Sequence, residues 1–166
     1  MYHGTPMQQW KVFFVKPRAE KKVAEFCALY GIRHYLPLRE KSRVAQRRKI
    51  VVRVPVFPGY VFARIDDDQR LQMLKTNQLV RVLDPLKPRR MLRDLVMVRR
   101  ALRANPALKP AQPLDKGRPV RIVGGPFKGV EGVVARMSGK IKVILNVEII
   151  GQAVAVMAGR DQVEPL

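Results

Sequence analysis

Hydrophobic and polar positions change period several times along this chain. Trp10-Lys11-Val12-Phe13-Phe14-Val15 is a short aromatic and β-branched run stopped by Pro17, which predicts a buried strand. From Arg18 to Tyr30 the period lengthens: Val23, Phe26, Cys27 and Tyr30 fall at i, i+3, i+4 and i+7, one face of an amphipathic helix. Gly31 is placed to stop that helix, and residues 32–38 read as a second strand. A strand at 50–54 is expected to pair with one at 60–65, with Pro55 and Pro58 restricting the segment between. Asp66-Asp67-Asp68 reads as the cap of a short helix over 69–75; no His, Cys or further carboxylate accompanies it to suggest a metal. Residues 79–83 predict a strand, and Leu92, Leu95, Val98 and Leu102 mark a long helix ending before Pro106.

The texture then changes. Residues 105–116 hold three prolines and little periodicity, which predicts a stiff linker. Beyond it, Val- and Ile-rich runs are punctuated by glycines and predict strands near 118–123, 130–136, 141–147 and 149–156. Short strands at this spacing suggest a small closed barrel. The expected class is therefore α+β: an N-terminal antiparallel sheet with flanking helices over 8–104, a Pro-rich linker over 105–116, and a small C-terminal β-barrel over 117–166.

Charge narrows the possible partners. The formal net charge is +20 over 166 residues, of which +16 falls in residues 1–104. Such an excess points to a polyanionic neighbour, usually nucleic acid, nearest the first part of the chain. Residues 39–53 alone hold seven Lys or Arg against one Glu. The single cysteine, Cys27, excludes a disulfide framework within one chain. No run of 18 apolar residues predicts a membrane helix, and the N-terminal residues have no signal-peptide pattern, so the expected compartment is the cytoplasm. His3 and His34 have no partner at metal or nucleophile spacing, and Gly125-Pro126-Phe127-Lys128-Gly129 is not a phosphate-binding loop. No enzyme, cofactor or metal is expected.

Two stretches carry a family resemblance. Gly117 to Val134, with Gly124-Gly125-Pro126-Phe127-Lys128-Gly129 and Gly132 at its centre, resembles a KOW motif, which elongation factors and ribosomal proteins share. Gly129 and Gly132 would permit tight turning or close strand approach. Upstream, Trp10, Glu20-Lys21-Lys22-Val23-Ala24, Tyr35-Leu36-Pro37 and Val56-Phe57-Pro58-Gly59-Tyr60-Val61-Phe62 resemble the N-terminal domain of NusG-like transcription elongation factors. That resemblance implies binding to the clamp helices of the largest RNA polymerase subunit through an apolar groove, and suppression of pausing and termination. The groove would use Val12, Phe14, Phe57, Tyr60 and Phe62, with Phe57 the most exposed of them, while Lys75 and Thr76 would reach a loop across the cleft. Lys16, Arg18 and Lys22 would face upstream and non-template DNA, and Arg43, Arg47, Arg48 and Lys49 would form a hairpin tip beside it. In the KOW module, Phe127, Ile149 and Ile150 would meet a partner. Ile149-Ile150-Gly151-Gln152 lacks the aromatic and the arginine of the turn by which housekeeping members bind Rho, which argues against Rho and less against a small-subunit ribosomal protein. The compact stretch before Phe57 is closer to specialised, RfaH-type paralogs. The resemblance implies a monomer with no membrane contact. A ribosome- or RNA-binding KOW protein without a polymerase role is the competing reading.

Overall fold

The computed structural model describes residues 7–135 and 139–166. The elements run β1 (Gln9–Val15), α1 (Glu20–Leu29), β2 (Arg33–Tyr35), β3 (Leu38–Ala45), β4 (Arg48–Pro55), β5 (Tyr60–Ile65), α2 (Asp67–Leu74), β6 (Leu79–Leu83), α3 (Pro88–Ala104), β7 (Pro110–Ala111), β8 (Pro119–Ile122), β9 (Glu131–Ala135), β10 (Ile141–Val147), β11 (Gln152–Ala158) and β12 (Val163–Pro165). The chain divides into two compact units. One comprises residues up to Leu36 together with Phe57–Pro88, the other Pro37–Val56 with Arg89–Leu166. The hairpin of β3 and β4 and the helix α3 thus group with the C-terminal strands, although the sequence suggested a division near residue 104. Among the described residues no helix is long and apolar enough to cross a membrane.

The first unit holds a four-stranded antiparallel sheet in the order β2-β5-β1-β6. Alternation sorts its residues. Phe13 and Val15 of β1 and Val61, Ala63 and Ile65 of β5 form one buried cluster with Val23 and Cys27 of α1 and Met73 of α2. Trp10, Val12 and Phe14, with Tyr60 and Phe62, therefore lie on the other face. The Asp66 cap is realised as a capping box: Asp66 Oδ1 accepts from the Gln69 N–H at 2.8 Å, and Gln69 Oε1 accepts from the Asp66 N–H at 3.0 Å.

Two expectations are corrected here. The strand expected over 32–38 is two strands broken at Leu36-Pro37, where proline has no N–H for a ladder. The strand over 50–54 does not pair with 60–65. Residues of β4 pair with β3 throughout, from Leu38↔Pro55 to Ala45↔Arg48, and β5 lies between β1 and β2. The cause is a two-residue turn: Gln46 and Arg47 both take positive φ, +49° and +62°, the geometry a tight hairpin requires.

The second unit contains that hairpin and a six-stranded sheet in the order β12-β8-β9-β10-β11-β7. Among the described residues no closed barrel forms. The outermost strands are short, and each contains a proline, Pro110 or Pro165, that cannot donate to a closing ladder. Residues 105–116 are also not a free spacer. Leu108 is buried, Pro110 and Ala111 pair with Val154 and Ala153, and Asn146 both donates to the Leu114 carbonyl (2.8 Å) and accepts from its N–H (3.0 Å). The strand expected from 149 begins later, because Glu148–Ile150 form a 3-10 turn closed by Gly151 at φ +60°. Arg136, at the end of another expected strand, lies outside the described residues, as does His3.

Candidate functional site

Strand register assembles the first candidate surface on the face of the four-stranded sheet opposite the one packed with α1 and α2. Tyr60 pairs with Phe14 across β5 and β1, and Phe14 pairs with Arg81 across β1 and β6. Partners in register share a face, so Tyr60, Phe14 and Arg81 form one cross-strand row. The Phe14 and Tyr60 ring centroids are 5.4 Å apart, tilted by 39°, and the Arg81 guanidinium stands 5.8 Å from the Phe14 centroid. Gly59, at φ +93°, turns the chain into Tyr60, and a Cβ there would stand 3.3 Å from the Phe14 ring. Pro58 followed by this glycine suits a type II turn, and the Tyr60 N–H returns to the Phe57 carbonyl at 3.3 Å. The two aromatic rings are half-buried, which leaves apolar surface on offer.

The other groove candidates are placed differently. Val12 and Phe62, paired in the adjacent row, are 0% exposed, and Phe57 is 1% exposed. Phe57 was expected to be the most exposed of the set. Instead its ring is sequestered while Pro58 carries the turn into solvent. Of the five aromatic and aliphatic candidates, only Phe14 and Tyr60 present surface.

Backbone bonds bring several basic candidates to the same end of the sheet. The Val15 N–H donates to Gly59 O and the Lys16 N–H to Gln78 O, both at 2.9 Å. Lys16, Arg18 and Lys22 are exposed where β1 leads into α1. Arg18 is held at φ +62°, a left-handed conformation that costs a non-glycine residue about 1 kcal/mol or more. Lys75, exposed, closes α2, while Thr76 is half-buried with its hydroxyl donating to Met73 O at 2.6 Å. That bond makes Thr76 a brace of the loop that presents Lys75. Glu20, in the first turn of α1, is 6% exposed, and its Oε1 has no hydrogen-bond partner among the described residues.

In the second unit, Arg43, Arg47, Arg48 and Lys49 are all exposed around the hairpin tip. The sequence reading missed the apolar residues between them: Val44 is 77% exposed, Val51 57% and Ile50 38%. Register puts Arg43 opposite Ile50 on one face and Val44 opposite Lys49 on the other, so both faces mix cations with aliphatic side chains.

Around the KOW-like segment, Phe127 and Ile149 are half-buried, whereas Ile150 is buried and turned into the unit. Ion pairs and hydrogen bonds fasten α3 beside these strands. Arg90 meets Glu148 at 2.7 Å, the Glu148 N–H donates to Asp94 Oδ2 at 3.4 Å, Arg93 meets Glu131 at 3.5 Å, and Arg100 donates to Gly129 O at 3.1 Å. Burial pushes the Asp94 carboxyl up to about 6, against the opposing influence of the Glu148 N–H and Arg90. Asp94 was not singled out from the sequence; its only signal was to be the lone acid in an arginine-rich helix.

Among the described residues, no group of three or more His, Cys, Asp or Glu is placed to hold a metal ion. Burial raises the Cys27 thiol to about 12, far from the reactive thiolate range.

A family model described as NusG, transcription termination factor nusG, matches residues 8–98. No curated protein matches the chain.

Proposed function

The chain belongs to the NusG family, and we propose that it is a transcription elongation factor that binds RNA polymerase through its first unit and suppresses pausing and termination. The observation that carries this reading is the half-exposed row of Tyr60, Phe14 and Arg81, set beside Lys16, Arg18 and Lys75 at one end of the sheet. An aromatic pair flanked by arginine has the composition of an interface hot spot. Its partner would be the clamp helices of the largest polymerase subunit, with Lys75 reaching across the cleft. Lys16, Arg18 and Lys22, together with the hairpin cations Arg43, Arg47, Arg48 and Lys49, would meet phosphates of upstream and non-template DNA, contacts that read no sequence.

The C-terminal strands are read as a KOW module that recruits a second partner through Phe127 and Ile149, with a small-subunit ribosomal protein favoured over Rho. Ile150 supports that surface from beneath. The compact first half favours a specialised, RfaH-type paralog, acting as a cytoplasmic monomer without catalysis or cofactor. The test is titration of core RNA polymerase with wild type and with Phe14→Ala and Tyr60→Ala variants. Each truncation is expected to weaken binding by about 1–3 kcal/mol, roughly five- to 150-fold. Unchanged affinity in both variants overturns the site; no binding by the wild type overturns the function.

A further inference from the structure

The outer face of α3 carries a stripe that neither the fold nor the proposed polymerase contact accounts for. The helix buries Met91, Leu95, Val98 and Ala101. At 100° per residue, Arg89, Arg93, Val96, Arg99, Arg100 and Arg103 fall on the opposite side, within an arc of roughly 120°. All are exposed. Arg93 and Arg100 also touch Glu131 and Gly129 O. Arg89, Arg99 and Arg103 have no hydrogen bond or ion pair among the described residues.

Helix physics disfavours this arrangement. Arg89–Arg93 and Arg99–Arg103 are like-charge pairs at i, i+4, each destabilising by about 0.2–0.5 kcal/mol. Arg89 and Arg90 put positive charge in the first turn, where the helix dipole favours an acid and none is present. At Arg89, Arg99 and Arg103 no group among the described residues offsets the charge, and a local rule broken in this way marks a surface made for something else.

We infer that the outer face of α3 is a docking surface for duplex DNA, held through backbone phosphates. Charge complementarity sets the class of occupant. Every cation on the helix is arginine, whose planar fork matches phosphate oxygens in pairs. The helix has no aromatic residue, so it offers single-stranded bases nothing to stack on. Arg89 to Arg103 spans about 21 Å at 1.5 Å per residue, enough to follow a duplex backbone for more than half a turn. The choice of DNA over RNA duplex rests on the reading of the chain as a transcription factor; the phosphate chemistry does not.

The test uses the full chain and a fluorescent DNA duplex of about 30 base pairs, comparing wild type with Arg89→Gln/Arg99→Gln/Arg103→Gln across a salt series. These three residues were chosen because they fasten nothing within the unit. The variant is expected to bind at least about tenfold more weakly near 0.1 M salt, with a log–log salt slope flatter by about 2–3. Its thermal midpoint should equal or exceed that of wild type, as relief of like-charge pairs requires. An unchanged slope overturns the surface, and tighter wild-type binding to a single strand or an RNA duplex overturns the occupant. Core polymerase binding by the same variant is measured in parallel and should be retained, so failure of the α3 surface and failure of the polymerase reading give different results.

Discussion

Truncating Phe57 and truncating Tyr60 should have opposite signatures, although the residues stand three apart in one turn. Phe57 is 1% exposed, so Phe57→Ala removes a fully buried ring and leaves a cavity. Such substitutions destabilise by about 3–5 kcal/mol, a large share of the 5–15 kcal/mol that holds a typical domain. For a chain of this size the thermal midpoint should fall by roughly 6–20 °C. Tyr60 is half-buried and packs against Phe14 at 5.4 Å, so Tyr60→Ala forfeits an aromatic pair of about 0.5–1.5 kcal/mol plus part of its burial. Its midpoint should move by only a few degrees. In polymerase titration the order reverses. Tyr60→Ala loses affinity at a temperature where it is fully folded, and Phe57→Ala, kept well below its midpoint, binds nearly as wild type. Circular-dichroism melts paired with the titration separate the cases. A Phe57→Ala variant that melts with wild type and loses binding would refute the assignment of Phe57 as a buried support.

Three further outcomes follow from the geometry. Gly132→Ala would place a Cβ 2.6 Å from Ile144 O and 2.7 Å from Val143 Cγ1, so β9 must move off β10; a loss of about 1–3 kcal/mol or more is expected in urea unfolding, and unchanged unfolding would contradict the close approach. Asp94 has its folded-state carboxyl raised to about 6, so wild type is relieved of a buried charge at low pH and loses stability as pH rises through that value. Asp94→Asn should therefore stabilise by about 1–3 kcal/mol at pH 8 and by nothing at pH 4, with Arg90, Arg93 and Glu148 around it unchanged; a gain that does not depend on pH would refute burial of the charge as its cause. Arg47→Gln/Arg48→Gln/Lys49→Gln should flatten the salt dependence of nucleic-acid binding by about one unit per lost phosphate contact, and an unaltered slope would return the hairpin tip to solvated surface.

The parts of the fold legible in the sequence were those whose signals are local and chemical. The Asp66 cap was readable because an acid precedes a helical period, and the inner and outer faces of β1 because alternation leaves only two ways to face. The hairpin was misread because Gln46-Arg47 contains no Gly, Asn or Asp, the residues that ordinarily announce a turn with two positive φ values. Residues 105–116 were read as a spacer from their prolines, but two leucines decided the matter: Leu108 is buried and the backbone of Leu114 is bound by Asn146. Phe57 misled because a residue ahead of Pro58-Gly59 looks like a loop tip, and no local signal says which side of such a turn is covered. For α3 the apolar spacing allowed two registers. Leu92 and Leu102 suggested one, and Met91, Leu95, Val98 and Ala101 form the buried side.

That choice of register matters because it settles where the arginines point. A modest rotation of α3 toward Leu92 and Leu102 would bring Arg99 toward the buried side and break the stripe. The turn at Gly59 obeys the same logic in the period of a strand. Val61, Ala63 and Ile65 enter the core, so parity sends Tyr60 to the opposite face, where register sets it against Phe14 and Phe14 against Arg81. In both places the contact side chains have no independent means of orientation. The buried residues hold the backbone, and the exposed ones inherit their direction from it. Substitutions in the buried set should therefore disturb partner binding through geometry, whereas substitutions at Tyr60, Arg89 or Arg103 remove a contact and leave the scaffold intact.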